Sequence, residues 1–166
     1  MMQSMNLKNL DKMSILKLSG SLLLCLSAGI IGKFAVSPDS LIWYEYIFKP
    51  EFTPPSWIFM PVWIILYLLM GISLFLVLKT ENSTRKTHAL IIFGVQLFLN
   101  ALWAPVFFGL RSIIGGFFVI FLLWLSIFFT FYKFYKLSPM ASYLLIPYLL
   151  WVSYAVGLNL SIWILN

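Results

Sequence analysis

The side chains of this chain that could support chemistry are aromatic rings and amides, and they recur at helical spacing. Residues at i, i+3, i+7 and i+11 share one face of a helix, and here they are Tyr148, Trp151, Ala155 and Asn159. Two further stripes are Gln96, Asn100, Trp103 and Phe107, and Trp63, Tyr67 and Met70. Rings offer stacking surfaces and amides offer hydrogen bonds, so these residue types predict noncovalent recognition.

Enzymatic and ion-coupled chemistry find little support in the remaining residues. No nucleophile, base and orienting carboxylate can be assembled, and no metal or nucleotide motif is present. His88 has no second ligand at metal-site spacing, so we interpret it as a loop-end residue, neither a metal ligand nor an axial haem ligand. The long apolar runs contain no Asp, Glu, Arg or His that could relay protons. Facilitated movement of a ligand or lipid remains open.

Membrane-spanning helices must position these stripes. Of 166 residues, 62% are hydrophobic and 10% charged, against roughly half and a quarter in soluble domains. A helix needs roughly 20 apolar residues to cross a hydrocarbon core of about 30 Å. The runs that meet this length are Leu18–Val36, Trp57–Leu78, Ala89–Leu110, Ser112–Tyr132 and Pro139–Leu165. We therefore predict an all-α membrane protein, a five-transmembrane-helix bundle that forms one domain over residues 1–166.

Two connections between the spans have a predictable geometry. The third and fourth runs together exceed a bilayer, so the chain must turn at Arg111, after Pro105 and Gly109 have loosened the backbone. The first connection, 37–56, is long and aromatic, which suits an interface or a lid. Its prolines exclude regular helix and favour extended or turn geometry; they are Pro50, Pro54 and Pro55. We predict a long ordered loop there.

The basic residues predict the orientation. With five spans, one side carries Lys8, Lys12, Lys17, Lys79, Arg85, Lys86, Lys133 and Lys136, and the other carries Lys33, Lys49 and Arg111. The side richer in Lys and Arg is normally cytoplasmic, so the amino terminus is predicted to be cytoplasmic. The net charge of +6 follows from this asymmetry. Attraction to anionic lipid is a sufficient reason for the excess of basic residues on the cytoplasmic side. No basic patch with interleaved aromatics points to nucleic acid.

Several residues inside the runs have ordinary interpretations. Buried amides need partners, so Asn100 and Asn159 are interpreted first as hydrogen-bonding between helices and second as lining a ligand cavity. Cys25 is interpreted as a small buried filler. A stripe that allows close helix approach in lipid consists of Ser153, Gly157 and Ser161. Interface or packing roles are expected for Trp57, Trp124 and Trp163.

Three separated groups of motifs follow a familiar order. The first contains Trp43-Tyr44, Lys49-Pro50, Pro54-Pro55, Pro61-Val62-Trp63, Leu66-Tyr67 and Met70-Gly71. The second is Asn100-Ala101-Leu102-Trp103-Ala104-Pro105 with Phe107-Phe108, and the third is Leu145-Ile146-Pro147-Tyr148-Leu149-Leu150-Trp151 with Leu158-Asn159. From about Trp43 to its last residue the chain resembles the tryptophan-rich sensory protein family, the TspO/MBR or translocator protein family. It departs at Phe52, where the family usually has tryptophan.

The resemblance implies a pocket beneath the first loop that accepts porphyrins. In the family, the tryptophans matching Trp63 and Trp151 and the loop pair matching Trp43 and Tyr44 are associated with it, and Ala155 matches a small position facing the ligand. With the stripes, the predicted ligand-binding residues are Trp43, Tyr44, Trp63, Tyr67, Asn100, Trp103, Phe107, Tyr148, Trp151, Ala155 and Asn159. A tetrapyrrole is a wide, flat π-system that indoles can stack against. We expect protoporphyrin IX or a haem-like molecule as ligand, with no required cofactor.

The function that the resemblance implies is that of a sensor, receptor or carrier for such ligands. Light-driven porphyrin breakdown that depends on Trp63 and Trp151 is the alternative. Sterol-binding members carry a tyrosine and then an arginine after the position of Asn159, and this chain has neither, so we expect weak or no sterol preference. The resemblance also implies a homodimer in a lipid membrane. A short chain without a transit segment favours the bacterial cell membrane.

Overall fold

The computed structural model describes residues 7–166, with side chains from Lys12 onward. Over these residues it has seven α-helices: α1 Leu7–Phe34, α2 Pro38–Tyr46, α3 Ser56–Leu78, α4 Thr84–Ala104, α5 Ile113–Tyr135, α6 Pro139–Tyr143 and α7 Ile146–Leu165. A π-helical turn, Pro105–Gly109, follows α4. Five segments are long and apolar enough to cross a membrane: Lys12–Phe34, Ser56–Leu78, Thr84–Gly109, Ile113–Tyr135 and Pro139–Leu165. The predicted five-span, all-α fold of an integral multi-pass membrane protein is confirmed.

Two helices extend beyond the predicted apolar runs and include charged residues: α4 at its beginning and α5 at its end. α4 begins at Thr84, so the predicted 79–88 loop is shorter and His88 lies inside the helix instead of at a loop end. The Ser83 side chain caps α4 by accepting a hydrogen bond from the backbone N–H of Lys86 at 3.2 Å. α5 continues past Lys133 because long basic side chains reach the head groups from within a helix. The Lys8 side chain lies outside the described set.

The first connection contains a helix, so the prediction that it lacks regular helix is wrong for its first half. α2 begins after Ser37, whose side chain accepts a hydrogen bond from Ser40 N at 3.2 Å. Pro38 occupies the first helical position, where its missing N–H costs nothing, and Asp39 follows in the first turn. The later prolines lie in the irregular part between α2 and α3. These prolines exclude helix only after Tyr46, where α2 ends.

Prolines also shape the third and fifth spans. Leu110 N donates to Pro105 O at 2.9 Å, the i→i+5 bond of a π-helical turn. Arg111 then adopts the left-handed conformation, with φ 49°, which confirms the predicted reversal there. In the last span, Pro147 lacks an N–H and its ring crowds the carbonyl of Tyr143. The span is accordingly divided into α6 and α7.

The spans pack in the order α3, α1, α4, α5, α7 around the bundle. Gly71 permits the contact between α1 and α3, since a Cβ at Gly71 would lie 2.9 Å from Leu22 Cα. α3 and α7 meet mainly through aromatic side chains, and we define the α3–α7 seam by Phe59, Trp63, Tyr148 and Trp151. α2 packs on the π-helical turn and thus covers one end of the bundle.

Candidate functional site

A chain of two hydrogen bonds joins three spans in the middle of the bundle. The Tyr67 hydroxyl on α3 donates to Asn100 Oδ1 on α4 at 2.8 Å. Asn100 Nδ2 in turn donates to the Tyr148 hydroxyl on α7, also at 2.8 Å. All three side chains are buried. The predicted interhelical hydrogen bonding of Asn100 is confirmed, and it fixes the rotation of three helices below the seam.

Two indoles from facing helices line the α3–α7 seam. Trp63 stacks on Tyr67 with ring centroids 5.6 Å apart and meets the Tyr148 ring edge-on at 6.2 Å. Trp151 meets Phe59 edge-on at 5.9 Å. Both tryptophans are half-buried and pack against the core. Both indole rings therefore lie between α3 and α7, where aromatic side chains of the two helices contact each other.

The roof of the site is formed where α2 rests on the π-helical turn. Trp43 contacts the Phe107 ring at 5.6 Å and Tyr44 contacts the Phe108 ring at 5.5 Å. Phe107 is buried and stacks on Trp103 at 5.2 Å. Burial raises the pKa of the Tyr44 phenol, and nearby Tyr154 raises it further. Tyr44 is therefore a neutral hydrogen-bonding group at neutral pH.

The irregular segment after α2 is held to α7 by polar contacts that we call the latch. Phe48 N donates to Asn166 Oδ1 at 3.0 Å, and Asn166 Nδ2 donates to Phe48 O at 2.9 Å. The Tyr154 hydroxyl donates to Phe52 O at 2.5 Å, and the two rings are 6.2 Å apart. Phe52, which stands where the family usually has tryptophan, thus places an aromatic ring against α7. The latch holds the segment against the middle and the carboxyl-terminal end of α7.

Some buried polar atoms have no partner among the described residues. They are Trp103 Nε1, Asn159 Oδ1 and both side-chain heteroatoms of Gln96. Asn159 Nδ2 donates to Ala155 O of its own helix at 2.9 Å, so the predicted interhelical bond of Asn159 is wrong. An unpaired buried donor or acceptor costs free energy. Trp103 and Asn159 therefore provide a donor and an acceptor that a ligand or water could satisfy.

None of the predicted ligand-binding residues is on the exterior. Buried are Tyr67, Asn100, Phe107, Tyr148 and Asn159, and half-buried are Trp43, Tyr44, Trp63, Trp103, Trp151 and Ala155. They lie in the middle of the bundle and in the end covered by α2. The predicted set lacks Phe59 and Tyr154, although Phe59 precedes Trp63 by four residues and Tyr154 follows Trp151 by three. That spacing alone would have placed both beside the indoles.

The remaining tryptophans, Cys25 and the small-residue stripe lie outside the aromatic site. Trp57 is 72% exposed, and Trp163 packs beside Phe117 with ring centroids 5.3 Å apart. Trp124 Nε1 donates to Ser153 Oγ at 2.8 Å. Cys25 is buried with a free thiol. Ser153 and Gly157 are exposed and Ser161 is half-buried, so the small-residue stripe faces away from the aromatic site.

Comparisons with known proteins agree over nearly the whole chain. A family model described as the TspO/MBR family matches residues 21–164. The chain is 40% identical over 153 residues to the Tryptophan-rich protein TspO of Chlorobaculum tepidum, covering 92% of this chain and 97% of that protein. It is 40% identical over 144 residues to Protein CrtK of Rhodobacter capsulatus, covering 86% and 88%. It is 37% identical over 138 residues to the Translocator protein of Homo sapiens, covering 80% of each.

Proposed function

The chain belongs to the TspO/MBR family, and from that premise we propose that it binds a porphyrin or similar tetrapyrrole at the α3–α7 seam beneath α2. In this proposal it acts as a sensor, receptor or carrier of the ligand. The observation that carries the proposal is the convergence of Trp63 and Trp151, two half-buried indoles from facing helices, on one seam. Flat π-systems are stabilised by offset stacking and edge contacts with such rings.

The polar atoms near the roof suit such a ligand. Trp103 Nε1 supplies an unpaired donor and Asn159 Oδ1 an unpaired acceptor, and ligand sites typically combine an apolar lining with a few placed polar groups. The rings of the seam contact one another. A tetrapyrrole must therefore enter by rotating Trp63 or Trp151 and by loosening the latch.

Two surface cavities at the opposite end of the bundle do not suit an apolar ligand. One, of about 590 Å³, is lined mainly by polar and charged residues of the α3–α4 connection and the end of α5. The other, of about 230 Å³, is lined by Arg85, His88, Lys133 and Lys136. The carboxylates of a tetrapyrrole could pair with the cations there, but no Trp, Tyr or Phe among the described residues lines either cavity to stack on its ring system. This chemical mismatch favours the seam over either preformed cavity.

Titration of the purified protein with protoporphyrin IX tests the proposal. The double variant Trp63→Phe, Trp151→Phe should weaken saturable binding roughly tenfold, because each phenyl ring offers less apolar contact area than the indole it replaces. Binding is measured by the absorbance shift of the porphyrin, which does not depend on the tryptophan content. The matched control is Trp57→Phe, Trp163→Phe, which removes two indoles outside the seam. Equal affinities of the two double variants would overturn the proposal.

The same samples separate binding from breakdown when they are illuminated. Light-dependent loss of the bound porphyrin that the seam variant abolishes would favour the alternative, a tryptophan-dependent degradation. Bound porphyrin that survives illumination favours sensing or carriage. Absence of saturable binding by the unmodified protein would contradict both functions and leave a purely structural bundle.

We further propose a homodimer, as the family resemblance implies. An outward position for its contact is available at Gly157 on α7, where a Cβ would meet no neighbouring atom. Close helix approach at small residues is a common basis of association in lipid. Disulfide crosslinking of the Cys25→Ser, Gly157→Cys variant in membranes tests this contact, with Cys25→Ser, Phe98→Cys, exposed on α4, as the control on another helix.

A further inference from the structure

We infer that the end of the bundle opposite α2 carries a binding site for the phosphate group of an anionic phospholipid. The site is the cavity of about 230 Å³ lined by Arg85, His88, Lys133 and Lys136, which we call the basic cavity. Arg85 and His88 come from the first turns of α4, and Lys133 and Lys136 come from the end of α5. These two helices pack against each other, so residues far apart in the sequence face one cavity.

The charge around the basic cavity is uncompensated by its own lining. Among the described residues no acidic side chain lines it, and Glu81 lines the adjoining larger cleft. Basic groups gathered in a concave surface raise the local positive potential and attract anions. Arg85 adds a guanidinium, which can bind phosphate through two parallel hydrogen bonds. The cavity therefore fits a phosphate better than a neutral head group.

Lys86, although adjacent in sequence, has a different role. Its side chain is buried, and Nζ donates to Leu78 O at 3.1 Å and to Thr80 O at 2.8 Å. These bonds satisfy carbonyl groups at the end of α3, which lack helical partners. Lys86 thus stabilises the α3–α4 connection. Of the cations that line the basic cavity, Lys136 places Nζ 4.4 Å from the centroid of the Tyr132 ring, and because an ammonium group has three donors, a phosphate can share it.

The surface next to the basic cavity accounts for the choice of a lipid over a free anion. One turn further into the span, on the same helix faces, Ile91 follows His88 by three residues and Phe129 precedes Lys133 by four. Both apolar side chains are more than half exposed, at 57% and 51%. A phospholipid places its phosphate at the ends of spans and its acyl chains alongside them. The basic cavity and its apolar flank match these two parts.

Native mass spectrometry of the full chain in detergent, with added phosphatidylglycerol or phosphatidylcholine, tests the inference. The unmodified protein should retain phosphatidylglycerol in preference to phosphatidylcholine. The variant Arg85→Gln, Lys133→Gln, Lys136→Gln should weaken that retention roughly tenfold or more, since it removes three positive charges that line the cavity. The control Lys12→Gln, Lys17→Gln, Lys79→Gln loses equal charge at exposed positions and should retain the lipid.

Several results would overturn the inference. They are equal weakening in the two variants, equal retention of phosphatidylcholine, or full retention of phosphatidylglycerol by the cavity variant. Displacement of phosphatidylglycerol by inorganic phosphate at the same concentration would assign the cavity to free phosphate. If the triple variant does not elute as a folded species, Lys136→Gln alone provides the comparison, with a smaller loss of retention expected and unchanged retention counting against the site.

Discussion

Two buried asparagines show how differently one residue type is used within this bundle. Asn100 bridges Tyr67 and Tyr148 through two interhelical hydrogen bonds. Among the described residues, Asn159 bonds only its own helix and its Oδ1 has no partner. The Asn100→Leu variant should therefore lower stability by roughly 1–2 kcal/mol, the upper range for hydrogen bonds between membrane helices. Thermal unfolding of the detergent-solubilised protein, followed by circular dichroism, measures the change.

Asn159→Leu is the matched control, because it removes an equally buried amide that joins no second helix. We expect its unfolding temperature to stay close to that of the unmodified protein, since loss of an unpaired buried acceptor offsets loss of the local bond. In porphyrin titration, Asn159→Leu should weaken binding more than Asn100→Leu does, because the unpaired Oδ1 of Asn159 is the proposed contact to the ligand. A larger loss of stability in Asn159→Leu than in Asn100→Leu would contradict this account.

The elements that surround the seam differ in how firmly they are held. α2 is fixed by ring contacts to Phe107 and Phe108 on the π-helical turn, and Lys49 Nζ donates to Tyr44 O at its end. The following segment is attached to α7 through the latch, whose hydrogen bonds are exposed. Exposed hydrogen bonds open more readily than a packed core. We therefore propose that the latch controls access of the proposed ligand to the seam.

The latch variant Tyr154→Phe, Asn166→Ala should speed porphyrin association and dissociation severalfold while changing equilibrium affinity less. The reason is that the latch bonds hold the segment closed and make no part of the stacking surface. Stopped-flow absorbance measures both rates. Thr80→Ala, which removes a hydrogen bond to Val77 O at the other end of the bundle, should leave them unchanged. Unaltered rates in the latch variant would show that access does not pass beneath the segment.

For the molecule as a whole, the unequal distribution of basic residues sets a testable orientation. We propose the bacterial cell membrane as its location, with the amino terminus and the α3–α4 connection cytoplasmic. In a Cys25→Ser background, Glu51→Cys should react with a membrane-impermeant maleimide in intact cells, and Lys79→Cys only after permeabilisation. Both positions are exposed, so accessibility within the fold does not bias the result. The opposite labelling pattern would reverse the orientation and place α2 inside the cell.

The family and the spans could be predicted from sequence because both depend on local properties. A charge-free run of the length of Trp57–Leu78 has to be placed in lipid whatever its neighbours are. Helical periodicity similarly placed Tyr148, Trp151, Ala155 and Asn159 on one inward face, and the structure has all of them buried or half-buried. Ser37 and Pro38 are local signals for the start of α2, whereas the prolines after it favour turn geometry and hide the helix from a reading of composition alone.

Only the tertiary structure decided which residues meet across helices. The rotation of each span depends on contacts such as Gly71 against Leu22, which no single segment encodes. That rotation gives Asn100 two partners on other helices and, within the part of the chain that the structure describes, gives Asn159 none. It also gathers basic side chains of α4 and α5 around one cavity. Hydropathy and periodicity act along one segment, whereas partner choice is set by packing between segments, and so it emerges only when the bundle is assembled.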